Sequence, residues 1–210
     1  MIVLILSALS LLSGVLAILE DHKKKHSAAQ FLRVLTILSI IGIAFLGERG
    51  SGRPYQTAIV CGLLFSLAGD VFMMQRHKRF TAGLLMFLIA QIFYALAFFS
   101  GLKPGFSSWP FIPLIAYAVL IIRILYRRLG KMKIPVMIYI LVIIGMARLA
   151  IERFLQLQDT AALLALIGAV LFSFSDSIIA LNRFVRPFRG AQAIILSTYF
   201  LAQYLISMSV

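Results

Sequence analysis

Eight apolar stretches, each near the 20 residues that carry an α-helix across a bilayer, follow one another along this 210-residue chain and are parted only by short connections. Inside hydrocarbon every backbone N–H and C=O must be satisfied within the crossing segment, so a chain patterned this way is expected to be all-α. The expected architecture is a polytopic membrane bundle of eight transmembrane helices at 2–19, 30–47, 55–74, 80–100, 109–125, 134–152, 160–181 and 190–208. No connection is long enough to hold a soluble domain, which makes 1–210 a single integral membrane domain. Composition agrees: 62% of residues are hydrophobic and 13% charged, where soluble domains run to roughly half and a quarter.

The net charge of +13 would suit a nucleic acid, but its distribution does not. Lys23, Lys24, Lys25 and Arg33 crowd the first connection, Arg76, Lys78 and Arg79 the third, Arg123, Arg127, Arg128, Lys131 and Lys133 the fifth, and Arg183, Arg186 and Arg189 the seventh. The alternate connections carry only Arg49 and Arg53, then Lys103, then Arg153 with Arg148. Cytoplasmic loops hold the excess of Lys and Arg, so the basic loops 20–33, 75–79, 123–133 and 182–189 are expected in the cytoplasm and both termini outside. The partner of this charge is the lipid bilayer, and no nucleic acid is expected. Tyr55 and Trp109 fall at the outer interface, where aromatic belts form. Met1 to Leu19 has no basic residue ahead of its apolar run, unlike a cleaved signal, and is expected to stay as a helix. Basic loops suit a bacterial inner membrane or the endoplasmic reticulum, and the lack of extensions around the bundle points to the bacterial case. Cys61 stands alone in an apolar run and reads as a small buried hydrophobe.

Two carboxylates lie within the spans. An intramembrane carboxylate costs at least about 2.5 kcal/mol on insertion scales, so it is retained where it faces a polar interior and does work. Asp70 and Asp176 each sit about five residues short of a basic loop, roughly 8 Å below the cytoplasmic surface at 1.5 Å per residue. Their segments echo one another: Gly62-Leu-Leu-Phe-Ser-Leu-Ala-Gly-Asp70 and Gly168-Ala-Val-Leu-Phe-Ser-Phe-Ser-Asp176, each followed by an Arg-Phe pair, Arg79-Phe80 and Arg183-Phe184. The echo allows a parallel 4+4 repeat of helices 1–4 and 5–8. Ser66 and Ser173 extend the two faces inward, while His77 and Arg183 lie seven residues beyond each Asp. Tyr117 and Tyr139 share their depth, and Gln91, Tyr94, Gln192, Tyr199 and Gln203 add polar faces on helices four and eight. These side chains could line a cavity, or simply join helices by hydrogen bonds. Arg148 and Glu152, four apart near an outer end, read as a snorkelling structural pair. The three histidines have no metal-ligand spacing, so no metal site is expected, and neither a Gly-x-Ser-x-Gly elbow nor a phosphate-binding Walker loop is present.

Leu67-Ala-Gly-Asp70 with Arg79-Phe80-x-x-Gly83, Phe174-Ser-Asp176-Ser-x-x-Ala-Leu181-Asn182-Arg183-Phe184, and Thr198-Tyr-Phe-Leu-Ala-Gln-Tyr204 together resemble the YhhN family of multi-pass membrane proteins, which includes lysoplasmalogenase. The resemblance covers essentially the whole chain. It implies eight transmembrane helices and hydrolysis of the vinyl ether bond of a lysophospholipid, a lysoplasmalogen, to a fatty aldehyde and a glycerophospho-alcohol. That chemistry requires a proton donor and a water-activating carboxylate, and no cofactor. Asp70 and Asp176 are the expected catalytic pair, one protonated and the other ionised, with Asp176 assigned the ionised role because Asn182 and Arg183 follow it. Arg79, Asn182, Arg183, Arg186, Tyr94, Tyr117, Tyr139 and Tyr199 are the expected substrate-binding residues. The rival readings are a small-solute or proton-coupled transporter and a non-catalytic lipid-binding membrane protein.

Overall fold

All eight apolar stretches are α-helices in the computed structural model, which describes residues 1–23, 25–47, 52–74, 79–105 and 107–210. In order they are α1 (Ile2–His22), α2 (His26–Leu46), α3 (Arg53–Met74), α4 (Phe80–Phe99), α5 (Phe111–Leu125), α6 (Lys133–Leu157), α7 (Thr160–Ala180) and α8 (Ala191–Ser207). Two single 3₁₀ turns, Tyr126–Arg128 and Gly130–Met132, join α5 to α6, and a π-helical turn, Leu181–Val185, extends α7. Lys24, Arg49, Arg76, His77 and Lys78 lie outside the described residues.

The ends of the helices follow from local chemistry. Asp159 caps α7 by accepting from the Ala162 backbone N–H at 2.7 Å, and Gly190, at φ 82°, turns the chain into α8. Among the described residues six helices are long and apolar enough to cross a membrane, which makes the chain an integral membrane protein. The other two are shorter, α5 with 15 residues and α8 with 17.

Burial is sorted as a bilayer demands. Large apolar side chains such as Leu4, Leu11, Phe31, Phe45, Ile112 and Leu141 point outward, whereas Ser66, Gln91 and Gln203 are fully enclosed. Antiparallel hairpins α1–α2, α3–α4 and α7–α8 supply the closest packing, α6 lies against α4 and α7, and α8 also touches α1, α2 and α3. Helix α5 is peripheral and leans on α6 and the π-helical turn. In two of the hairpins the glycine eight residues before the aspartate makes the close approach. The Tyr94 ring of α4 lies on Gly62, and the Ala202 carbonyl and Ile206 of α8 lie on Gly168, where a Cβ would stand 2.9 and 2.7 Å from them.

Arg148 and Glu152 do not snorkel. Helix α6 runs five residues past its expected end, so that both are buried, 2.9 Å apart, against the connection between α4 and α5. Glu152 accepts from the Ser107 N–H at 3.1 Å, and Arg148 donates to the Ser107 carbonyl. Arg153 donates to the Ser100 carbonyl at 2.7 Å with its guanidinium 4.3 Å from the Tyr55 ring centre, while Gln156 holds both the N–H and the C=O of Lys103. Charged residues at the end of a span thus serve as the anchor of a loop.

Gly168→Ala should cost about 1–3 kcal/mol through overpacking against the α8 backbone, while Gly145→Ala, whose Cβ meets nothing within 4 Å, should be neutral; thermal melting in detergent distinguishes them. Glu152→Gln should leave Arg148 without its carboxylate and lower stability by about 3 kcal/mol in the same measurement.

Candidate functional site

Asp176 sits in the last turns of α7, 8% exposed, at the junction of α4, α6 and α7. Its Oδ2 accepts two hydrogen bonds, from Gln91 Nε2 on α4 and from the Tyr139 hydroxyl on α6, both at 2.7 Å. Gln91 Nε2 also donates to the Tyr139 oxygen at 2.9 Å, closing a three-membered ring. Both amide hydrogens of Gln91 are used in this way, and its Oε1 is buried without a partner among the described residues. An unpaired buried carbonyl costs about 1–3 kcal/mol, so aiming the amide at the carboxylate is maintained against a measurable penalty.

Asp176 is also part of the wall of a narrow cleft of about 40 Å³ between α4, α5, α6 and α7. A water needs only about 10–15 Å³ of such space, so the cleft can admit water to the carboxylate. The remaining lining is mostly apolar, including Met73, Leu84, Phe87, Ile121, Leu125 and Ile143, with Phe80 and Phe184 packed edge to face, ring centres 5.8 Å apart, at the loop end. Tyr117 of α5 reaches the next residue of α7: its hydroxyl bonds to Ser177 and donates to the Ser173 carbonyl at 3.1 Å.

Asp70, in the last turn but one of α3, is buried to the same extent, at 8% exposure, in a different setting. Its Oδ2 has no hydrogen-bond donor among the described residues. The polar side chains nearest it are Tyr199 of α8, whose hydroxyl is likewise buried without a hydrogen-bond partner among the described residues, and Arg33 of α2. Register accounts for the second. Gln30 Nε2 donates to the Met74 carbonyl at 3.4 Å across the antiparallel α2–α3 pair, and one turn further along each helix brings Arg33 level with Asp70. Arg33 is 9% exposed and pairs with Asp21 of α1 at 2.8 Å.

No hydrogen bond joins the two aspartates among the described residues. Helix α8 packs on both α3 and α7, and α4 packs on α3 while reaching α7 through side chains. The Phe172 ring of α7 lies edge to face with Phe87, Tyr94 and Tyr199 at 6.2, 6.0 and 5.9 Å between centres, and Phe87 also rests on Gly69, beside Asp70. Around this cluster Tyr94 donates to Gln203 Oε1 at 2.6 Å and bonds to Ser66 at 3.3 Å. Tyr139 with Gln91 and Asp176, and Tyr94 with Gln203 and Ser66, form two buried hydrogen-bonded sets that share helix α4.

The expected headgroup residues are placed elsewhere. Arg79 stands over Phe72 at 5.8 Å and Arg183 over Phe80 at 5.0 Å, both beside the loop end of the cleft, and Arg186 is exposed just beyond. Asn182 turns away: its Oδ1 accepts from the Phe188 N–H at 3.2 Å, because the chain has passed into the π-helical turn one residue earlier. Arg33, expected in a loop, is carried into the bundle by the earlier start of α2 at His26. The pairing of opposite charges across the α1–α2 turn, Asp21 with Arg33, was the available signal. Gln91 was seen as a polar residue, but its bond to Asp176 had no signature in spacing. A larger groove of about 480 Å³ between α1, α2 and α8 contains neither aspartate. Among the described residues no group of three or more His, Cys, Asp or Glu side chains could hold a metal ion.

Several known proteins are similar to this chain. Lysoplasmalogenase TMEM86A of Bos taurus is 37% identical over 176 residues, covering 79% of this chain and 71% of that one. Lysoplasmalogenase TMEM86B of Homo sapiens is 29% identical over 184 residues, 86% of this chain and 74% of that one. The uncharacterized membrane protein YhhN of Escherichia coli O157:H7 is 27% identical over 176 residues, 83% of each chain. No solved structure matches. The YhhN family pattern matches residues 28–210, a stretch that holds both aspartates, Gln91, Tyr139 and Arg33, and the chain belongs to the YhhN family.

Proposed function

We propose that this chain is a membrane-embedded hydrolase that cleaves the vinyl ether bond of lysoplasmalogens. The observation that carries this reading is a carboxylate, Asp176, fixed in the wall of an apolar cleft just large enough for water. Similar proteins named lysoplasmalogenase support the substrate class.

Vinyl ether cleavage begins when a proton is added to the alkene carbon remote from the ether oxygen. The π electrons form the new C–H bond and leave an oxocarbenium ion. Water adds to the cationic carbon and gives up a proton, and the resulting hemiacetal collapses to a fatty aldehyde and a glycerophospho-alcohol, so one water is consumed. General acid and base roles of this kind are divided in glycosidases between two carboxyl groups, with a similar transition state. Asp70 and Asp176 take those roles here. The cleft has room only for water as it stands, so the hydrocarbon chain enters by displacing its peripheral α5 wall, while Arg79, Arg183 and Arg186 at its loop end meet the phosphate. Tyr117 and Tyr139 border the reacting atoms, and Tyr94 and Tyr199 hold the interior on the Asp70 side.

In this reading all eight helices cross the membrane, with 1–210 as one domain, both termini outside and the four basic connections in the cytoplasm of a bacterial inner membrane. The 3₁₀ turns after α5 lengthen its short crossing, and helices 1–4 and 5–8 are parallel repeats.

Purified protein given a lysoplasmalogen should release aldehyde, and given an ester-linked lysophospholipid should release no fatty acid. Absence of aldehyde at every pH would overturn the assignment. Asp70→Asn and Asp176→Asn should each reduce aldehyde release by at least about 100-fold, the scale of a lost general acid or base, with melting little changed. Arg183→Gln should raise KM several-fold while kcat stays near its original value, because its charge meets only the headgroup.

A further inference from the structure

We propose that Gln91, acting with Tyr139, is a positioning residue that occupies Oδ2 of Asp176 and so makes Oδ1 the oxygen that carries and delivers the catalytic proton. The proposal deepens the hydrolase reading, rests on it for the identity of the reaction, and reverses the ionised role expected of Asp176 from Asn182 and Arg183, which are turned to the Phe188 N–H and the Phe80 ring.

Hydrogen-bond valence leads to this assignment. Gln91 Nε2 faces two acceptors, the Tyr139 oxygen at 2.9 Å and Asp176 Oδ2 at 2.7 Å, so the amide must present its nitrogen there. The reversed amide would set its oxygen against a carboxylate oxygen. Since Tyr139 accepts from Gln91, its own hydrogen goes to Oδ2, also at 2.7 Å. A proton on Oδ2 would displace one of these two donors, and the Tyr139 hydrogen or a Gln91 hydrogen would then be left without an acceptor in a buried place. With the amide in this orientation, Oδ2 is the carbonyl-type oxygen when Asp176 is protonated. Asp176 itself lines the cleft, and Oδ1 is the oxygen left available to it.

The surroundings keep the arrangement rigid. Gln91 is completely buried and Tyr139 is 6% exposed, and the helices that bear them pack directly on one another. The groups that face Asp176 are Gln91 from α4, Tyr139 from α6 and Tyr117 from α5, which bonds to Ser177. Helix α8 meets this part of α7 through the Ile195 carbonyl, which accepts from Ser175 at 3.1 Å. The side chains fixing Asp176 on Oδ2 are thus neutral donors. In the reaction the Oδ1–H bond breaks as the alkene carbon takes the proton, leaving Asp176 as a carboxylate. The proton lost by the added water restores it by the end of the cycle.

Two measurements test this. The first is an infrared difference titration of the purified protein, in which the protonated-carboxyl band of Asp176 is identified by its loss in Asp176→Asn. Donors to Oδ2 favour the ionised form, so in Gln91→Met and in Tyr139→Phe the band should persist to a pH about one unit higher than in the wild type. Tyr139→Phe removes a single hydroxyl and serves if Gln91→Met fails to fold. An unchanged midpoint in the folded variants, or no Asp176 band at any pH, would overturn the proposal. The second is the pH profile of kcat/KM for aldehyde release. Its alkaline limb should move upward in both variants, with kcat reduced about tenfold, whereas a shift of the acid limb alone would mean that Asp176 works ionised and would overturn the donor role. If the wild type makes no aldehyde, the hydrolase reading fails while the infrared result still decides whether Gln91 and Tyr139 control the proton on Asp176.

Discussion

Hydrocarbon offers no hydrogen bonds, and that absence arranges the interior of this bundle. Several small hydroxyls are satisfied within their own helices: Ser39 donates to Leu35, Ser173 to Ala169 and Ser177 to Ser173, each four residues back. Longer polar side chains cannot reach their own backbone in this way. They are instead drawn together in two sets, Gln91 and Tyr139 on Asp176 at the α4–α6–α7 junction and Tyr94 on Gln203 between α4 and α8. These polar sets are thus a consequence of the solvent, and Asp176 is held by one of them.

The two carboxylates are stabilised by different physics. Asp70 stands level with Arg33, itself tied to Asp21, so its setting is one of point charges that interact over several ångströms. Asp176 is met by neutral dipoles at 2.7 Å whose effect depends on direction and is lost within about an ångström of displacement. Under the proposed reaction this difference separates the roles of the pair more firmly than the neighbouring residues in sequence do. Asn182 and Arg183 follow Asp176 closely, yet the π-helical turn directs Asn182 to a backbone N–H and Arg183 over the Phe80 ring.

Features governed by run length were the ones legible in advance. All eight helices lie within a few residues of their expected positions, because an apolar stretch bounded by charges has few ways to end. Errors arose where a charge sits inside a helix. Arg33 was read as loop because cations usually mark connections, but the pairing with Asp21 lets α2 begin at His26. Arg148 and Glu152 resemble a snorkelling pair in sequence, because nothing in their spacing reveals that the Ser107 backbone lies against them. Pairings between distant helices, such as Gln91 with Asp176, are set by rotation of α4 against α7. A hydropathy pattern fixes the apolar face of a helix far better than the partner of any one polar residue on it.

The cleft beside Asp176 must satisfy two opposed demands under the proposed reaction, since a hydrocarbon chain requires apolar walls and proton transfer requires fixed polar groups. The helices divide these demands. Helices α4 and α6 are packed against each other and carry Gln91 and Tyr139, so the donors sit on the stiffer side. Helix α5 contributes only Ile121 and Leu125 to the lining, is peripheral, and is held to α7 at this depth through Tyr117. A wall of this kind can yield to a lipid chain without disturbing the ring of Gln91, Tyr139 and Asp176, because none of the bonds in that ring involves α5. Substrate size and carboxylate geometry are thereby placed on different elements, and a change in one need not alter the other.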